Sequence, residues 1–282
     1  MICAWKELIG ILPERMRKDV DRLGVASLQE LRLRVGKPPE MVLRDGGYWL
    51  QGAVSRDELL FCINAACRYS PWAASSAASG YITAAGGHRI GLCGEVIASG
   101  RDVCCVKNPS SLCIRVARDF NGIAEKLYGR DGSILILGPP GSGKTTLLRD
   151  LIRHISNMDM GSICVVDERG ELFPASQGVS CFDTGKKTDI LTGCGKAQGI
   201  DMALRTMGPA TIAVDEITAE DDCESLIRAG WCGVRLLATA HAASIEDLRS
   251  RPVYRLLCES SLFSTVGILS RDKSLNLERM AS

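Results

Sequence analysis

From residue 133 onward the chain carries short, mostly apolar runs at 134–137, 163–166, 211–214 and 235–239, with helical or loop segments between them. None of these runs alternates apolar with polar residues. The pattern predicts parallel strands buried on both faces, and hence an α/β sheet. The first 118 residues read differently. Trp5, Leu8, Ile9 and Leu12 share one face of an amphipathic helix over 4–23, which Pro13 is placed to split. Residues 31–35 alternate apolar and basic side chains, and 40–43 make a second strand. Asp45-Gly46-Gly47 signals a hairpin into a third strand at 48–50. Ser55 and Glu58 have the spacing of a capping box and start a helix that runs to about Tyr69. A glycine-punctuated hairpin over 80–97 and a strand at 111–118 complete an α+β domain with a mostly antiparallel sheet. The chain therefore divides into an N-terminal α+β domain, 1–118, and an α/β domain, 119–282, with no long linker between them. The last dozen residues, from Arg271, are polar and read as a loose tail.

The run at 134–137 leads into Gly138-Pro139-Pro140-Gly141-Ser142-Gly143-Lys144-Thr145-Thr146, where a helical pattern begins. Strand, glycine-rich loop and helix stand in the order a P-loop requires. Glycines let the backbone bend so that its N–H groups converge on a phosphate, and the following helix adds its positive end. Lys144 reaches the β- and γ-phosphates in this reading, and the Thr145 hydroxyl ligates Mg²⁺. A chance glycine-rich turn is the competing account, and the full motif between a strand and a helix makes it a poor one.

Three further strand ends carry chemistry. Thr211-Ile212-Ala213-Val214 runs into Asp215-Glu216, the form of a Walker B strand. Asp215 then holds Mg²⁺ through its water shell and Glu216 polarises the attacking water. The run at 163–166 ends in Asp167-Glu168, and either acid can face the phosphates. The run at 235–239 ends in Thr239-Ala240-His241: Thr239 is placed as a phosphate sensor, His241 as a partner for Glu216 or for a neighbouring subunit. Arginines that could meet the charge of phosphoryl transfer are Arg205, ahead of the Walker B strand, and Arg89, Arg115 and Arg118 in the first domain. Residues 184–200 are glycine-rich and basic, suiting a pore or substrate loop or a flexible connection.

Composition narrows the picture in only a few places. Of 282 residues, 46% are hydrophobic and 24% charged, as in an ordinary globular protein. A net charge of +1 and 5% aromatic residues argue against nucleic acid as a partner. The 13 cysteines form no Cys-x-x-Cys pair, and with three histidines they do not make a zinc tetrad. Several of them sit in apolar runs (Cys62, Cys93, Cys164, Cys258), which with the P-loop points to a reducing cytoplasm. The N-terminal stretch does not read as a signal peptide, and no apolar run approaches the ~18 residues of a membrane span.

The P-loop followed by DERGEL, ALRTMGPATIAVDEI and LLATAHA resembles the secretion-ATPase branch of RecA-like proteins, and within it the stage III sporulation protein AA family. ELRLRVGKPPEMVL, GYITAAGGHRIGLCGEVI and SLCIRVAR in the first domain are similar to the same family, so the resemblance spans about residues 28–260. It implies a RecA-like P-loop NTPase core with a smaller N-terminal α+β domain, ATP and Mg²⁺ as ligands, and a homo-hexamer. It also implies catalytic positions at Glu216, Glu168, Arg205 and His241, and arginines at Arg115 and Arg118 that approach the nucleotide. The implied task is that of a cytoplasmic motor, without membrane insertion of its own. Working with integral membrane proteins of a sporulation channel complex, it would energise transport from mother cell to forespore. The chain departs from the wider branch in two places: Asp167-Glu168 stands where Glu-Asp is common, and Thr218-Ala219 where a glycine is expected after DEI. The alternative is a nucleic-acid-dependent RecA-like ATPase, favoured only by the basic runs at Arg32-Leu33-Arg34 and Lys186-Lys187. A small-molecule kinase lacks a recognisable lid or acceptor site.

Overall fold

The protein's computed structural model describes residues 1–43, 45–67, 80–99, 102–158, 160–176 and 179–280. The chain divides into two units, Met1–Asp119 with Pro174–Phe182, and Phe120–Phe173 with Asp183–Ser282.

In the first unit Pro13 does split the N-terminal helix, into α1 (Trp5–Gly10) and α2 (Glu14–Leu23). Leu8, Met16 and Val20 are their buried residues. The strands are β1 (Leu28–Arg34), β2 (Glu40–Leu43), β3 (Gly46–Trp49), β4 (Tyr81–Thr83), β5 (Arg89–Ser99) and β6 (Asp102–Arg115), with α3 (Arg56–Ala66) between β3 and β4. They form one sheet in the order β3-β2-β1-β6-β5-β4, every pairing antiparallel. A bulge between Leu28 and Glu30 resets the alternation of β1, so Leu28, Leu31 and Leu33 all face inward. Ser55 caps α3 reciprocally with Glu58 as expected; its predicted end at Tyr69 lies outside the described residues.

His88, from the GHRIG stretch, is fully buried in this unit. Its Nδ1 accepts from the Ala117 N–H at 3.1 Å, which leaves Nε2–H to donate to the Ala4 carbonyl at 2.9 Å. Burial holds its pKa below the usual histidine value and keeps the ring neutral. Gly86 has φ +77°, and a Cβ there would meet the Ala4 methyl at 2.2 Å, so the backbone closes around the ring. His88 is a structural residue tying the N-terminal segment to the end of β6.

The second unit is built on the predicted apolar runs. They become β7 (Ser133–Leu137), β8 (Ile163–Asp167), β10 (Thr211–Ile217) and β11 (Arg235–Ala240), and the runs themselves, Arg235 apart, are buried. The helices are α4 (Lys144–Asn157), α5 (Lys196–Thr206), α6 (Glu220–Trp231), α7 (Ile245–Ser250) and α8 (Arg255–Glu259). Three further strands were not legible in the apolar pattern. β9 (Thr188–Thr192) pairs parallel with β8, β12 (Phe263–Leu269) parallel with β7, and β13 (Leu275–Glu278) antiparallel with β12. The seven strands run β9-β8-β10-β11-β7-β12-β13.

Two expectations are corrected here. The tail from Arg271 is not loose: it turns and adds the edge strand β13. Residues 184–200 are not one loop, since they contain β9 and the start of α5. Gly199 lies inside α5 because a Cβ there would come within 2.4 Å of Val166 Cγ1, so its absence lets the helix sit close on β8.

Candidate functional site

Parallel strands deliver their following loops to one edge of the sheet, and that edge is where α/β proteins bind ligands. Here β7, β8, β10 and β11 bring the residue 138–143 loop, Asp167–Glu168, Asp215–Glu216 and Thr239–His241 to the same edge. The register fixes this: Val214 lies beside both Val166 and Ala238, and Ala240 beside Leu137.

The glycine-rich loop is shaped by glycines, two in backbone conformations that disfavour a side chain and one with no room for it. Gly141 (φ +73°) and Gly143 (φ +103°) are left-handed. A Cβ at Gly138 would meet the Leu269 carbonyl at 2.5 Å and Ser142 Oγ at 2.7 Å. Ser142 Oγ is buried and has no hydrogen-bond partner among the described residues. Together with the N-terminal turn of α4, this cradle fits a phosphate chain.

Lys144 opens α4, and its ammonium donates to the carbonyls of Gly138 (2.9 Å) and Pro139 (3.1 Å) and to His241 Nδ1 (2.9 Å). Burial pulls its pKa down, and the nearby carboxylates of Asp215 and Glu216 oppose that. With Nδ1 accepting, His241 Nε2–H donates to Glu216 Oε1 at 2.6 Å. Glu216 Oε2 accepts from Arg169 at 3.3 Å. Lys144, His241, Glu216 and Arg169 thus form one continuous chain of polar contacts.

Glu216 is set off its strand. Its φ is +56°, and the pairing of β10 with β11 slips between Val214 and Ile217. A left-handed glutamate is strained by about 1 kcal/mol or more. The strain is held by its own N–H, which donates to Thr239 Oγ1 at 2.7 Å. The Thr239 hydroxyl donates in turn to Asp215 Oδ1 at 2.6 Å, and the Thr145 hydroxyl donates to Asp215 Oδ2 at 2.6 Å. Burial pushes the Asp215 pKa up, and the two hydroxyls counter it. Thr145 and Asp215 are an oxygen pair of the kind Mg²⁺ takes when phosphates and waters fill its remaining positions. No larger metal-ligating cluster exists among the described residues.

The two acids at the end of β8 have different surroundings. Asp167 is buried, and its carboxylate accepts from the backbone N–H groups of Glu171 (2.9 Å) and Phe173 (2.8 Å), closing the turn. Glu168 accepts from Lys196, an almost fully buried lysine at the first turn of α5, which also lies 4.0 Å from Asp222. Glu168, Arg169, Lys196 and Glu216 line one crevice. Arg149, on the buried side of α4, donates to the carbonyls of Glu171 and Leu172 and so fixes this turn to the helix behind the loop. The expected glycine after Ile217 has no job here: Asp222 accepts from the N–H groups of Thr218 (3.0 Å) and Ala219 (3.2 Å), and the left-handed residue is Glu216 itself.

Within the second unit, Arg205 is not brought to this cluster. Arg205 is exposed on the last turn of α5, which leads to the start of β10, at the opposite edge of the sheet. Arg115 and Arg118 belong to the first unit. Arg115 is exposed beside Glu30 at 3.3 Å, whereas Arg118 donates to the backbone carbonyls of Val25, Leu28 and Val116. The motifs did not single out Arg169, Lys196 or Lys273 as site residues. Lys273 donates to the carbonyls of Gly141 (2.7 Å) and Ser142 (2.8 Å). Each of these cations meets its partner across tens of residues of chain, and no local spacing signals such a pairing.

A parallel sheet with a phosphate loop after one strand and acid-tipped strands beside it is the fold of secretion ATPases of the RecA-like P-loop class. Structures of that class agree: DotB of Yersinia pseudotuberculosis matches with a TM-score of 0.63 and 16% identity over 96% of this chain and 80% of its own. The pilus retraction motor PilT matches with a TM-score of 0.63 and 17% identity over 95% of this chain and 78% of its own. The chain belongs to the family described as sporulation stage III, protein AA, whose model matches residues 5–276. Stage III sporulation protein AA of Bacillus subtilis is 35% identical over 95% of this chain and 91% of its own length. The type IV pilus assembly ATPase TfpB of Acinetobacter baylyi is 31% identical over 50% of this chain and 23% of its own length.

Proposed function

We propose that this chain is an Mg²⁺-dependent ATPase that drives a membrane-associated channel complex in sporulation, acting from the cytoplasm as a homo-hexamer. The observation that carries the reading is the meeting of Lys144, Thr145, Asp215, Glu216 and His241 at one sheet edge, in a chain of this family. No helix among the described residues is long and apolar enough to cross a membrane; the partners in this reading are integral membrane proteins of the complex.

In this mechanism the loop N–H groups and Lys144 bind the β- and γ-phosphates of ATP. Thr145 and Asp215 would hold Mg²⁺, which when bound would neutralise phosphate charge. Glu216 orients the attacking water and takes its proton. His241 shares a proton with Glu216 on one nitrogen and faces Lys144 with the other, so it lies between the base and the γ-phosphate position. Thr239 fixes the Glu216 backbone. Glu168, steadied by Lys196, supplies a second carboxylate at the crevice. Arg205 and Arg115 stand on exposed surfaces, where they serve a neighbouring subunit of a ring rather than their own site. Arg118 is the weakest member of the set, because carbonyls of its own unit take up its donors and burial lowers its pKa.

The two acids at the end of β8 separate by experiment. Asp167→Asn leaves one acceptor oxygen for two N–H donors, a cost of about 2 kcal/mol, so Tm falls by roughly 4–8 °C. Glu168→Gln keeps an oxygen that can accept from Lys196 but gives up the charge facing that buried ammonium, so Tm falls by less than in Asp167→Asn while turnover is lost. A thermal melt and a phosphate-release assay on each variant check this, and the opposite pattern reassigns the functional acid to Asp167.

Light scattering with and without Mg·ATP, on wild type and Glu216→Gln, tests the motor reading. A shift to a hexamer with ATP, retained by the variant, supports it. A monomer under every condition, together with ATPase activity that rises on adding nucleic acid, rejects it in favour of a nucleic-acid-dependent enzyme.

A further inference from the structure

The turn between β12 and β13 does more than reverse the chain. Because β12 runs parallel to β7, with Ile268 beside Leu137, the two loops that follow these strands emerge side by side. One is the phosphate loop. The other is residues 270–274, a built turn: Ser270 N–H donates to the Ser274 carbonyl at 3.0 Å and Lys273 N–H to the Ser270 carbonyl at 3.1 Å. Asp272 accepts from both the N–H and the hydroxyl of Ser274. Lys273 itself is left-handed, φ +71°, a conformation lysine rarely adopts. That backbone aims its ammonium at the phosphate loop, where it donates to the Gly141 carbonyl at 2.7 Å and the Ser142 carbonyl at 2.8 Å.

Each of these bonds fixes a whole peptide plane. The plane shared by Gly141 and Ser142 is held at both ends, because the Ser142 N–H donates to the Pro139 carbonyl at 3.2 Å. That carbonyl also accepts from Lys144, so two lysines brace the loop through a common strut. In the next plane a trans peptide points its N–H opposite to its C=O. An ammonium on the Ser142 carbonyl therefore directs the Gly143 N–H to the far face of the loop, where the convergent donors of a phosphate loop meet their anion. The loop needs this brace because Gly141 and Gly143 are both free to swivel.

We propose that Lys273 is a positioning residue for nucleotide binding: it holds the peptide planes that follow Gly141 and Ser142 so that the loop's N–H groups are preset for a di- or triphosphate. The inference rests on the nucleotide reading of the loop. Lys273 touches the loop from behind and is not itself a catalytic group. A charge-assisted bond of this kind corresponds to about a tenfold effect on affinity.

The test is calorimetric titration of the full chain with Mg·ADP and Mg·ATP, on wild type, Lys273→Gly, Lys273→Arg and Lys144→Ala. Glycine removes the amine and suits the left-handed backbone, so the turn survives, and a melting curve confirms that it does. Lys273→Gly is expected to weaken both nucleotides by about tenfold and alike, since the brace acts before any γ-phosphate contact. In turnover KM rises by that factor and kcat falls by a smaller one. Lys273→Arg restores binding to within about threefold, because a guanidinium reaches the same two carbonyls. Wild-type affinity in Lys273→Gly, or a loss that arginine does not restore, overturns the assignment while leaving the loop's function intact. A wild-type chain that binds neither nucleotide, like Lys144→Ala, overturns the nucleotide reading itself.

Discussion

Glu216→Gln binds Mg·ATP about as well as wild type and hydrolyses it at least a hundredfold more slowly. Glutamine keeps the shape of the side chain and an oxygen that can accept from His241 Nε2–H, so the chain from Lys144 through His241 survives. What it loses is the carboxylate charge and the capacity to take a proton from water. General-base catalysis is commonly worth about 10²–10⁴ in rate, and the proposed base sits in a strained left-handed backbone secured by Thr239. The measurement is single-turnover phosphate release beside equilibrium nucleotide binding. Full activity in the variant removes Glu216 from the role of base, and Glu168 is then the first acid to examine.

Lys144→Ala loses at least a hundredfold in affinity for both Mg·ADP and Mg·ATP. The variant gives up a cation at the phosphate position. It also leaves the Gly138 carbonyl without the ammonium donor that faces it, frees one of the two donors to Pro139, and releases His241 Nδ1. A modest drop in Tm therefore accompanies the loss of binding, and a thermal melt separates the two effects. The same lysine sets a pH limit in the wild-type chain. Burial lowers its pKa, so it sheds its proton at a lower pH than an ordinary lysine near 10.4. Nucleotide affinity is full below that depressed pKa and falls as pH rises through it. Titrations across the alkaline range should show the fall in wild type and none in Lys144→Ala. Wild-type affinity in the alanine variant removes the phosphate loop from the site.

The parts legible in the sequence were the buried apolar strands and the short motifs at their ends. β7, β8, β10 and β11 are covered on both faces over most of their length, so their central residues are mostly apolar with no alternation, and that pattern locates them. β12, with Ser264, Thr265 and Gly267, and β13, an edge strand of alternating burial, lack such a run and were missed. α5 was hidden by glycines at 195 and 199, which read as loop. The glycine at 199 serves close packing instead. In the candidate site, the motif residues were legible because each motif is a short continuous stretch at the end of one strand. The pairings that complete the site join Glu168 to Lys196, Arg169 to Glu216, and Lys273 to Gly141 and Ser142. They depend on which strands become neighbours, and sequence spacing carries no trace of that.

Gly199 has a consequence for how the sequence can drift. The Val166 methyl group that leaves no room for a Cβ at 199 belongs to the strand that ends in Asp167 and Glu168, and Lys196 stands one helical turn before the glycine. Any larger residue at 199 lifts the helix and withdraws the lysine from Glu168. A smaller residue at 166 reopens the gap. The two positions are therefore sterically coupled in one direction: a side chain at 199 is accommodated only if position 166 gives up volume, and otherwise the reach between a carboxylate and its lysine is what is lost.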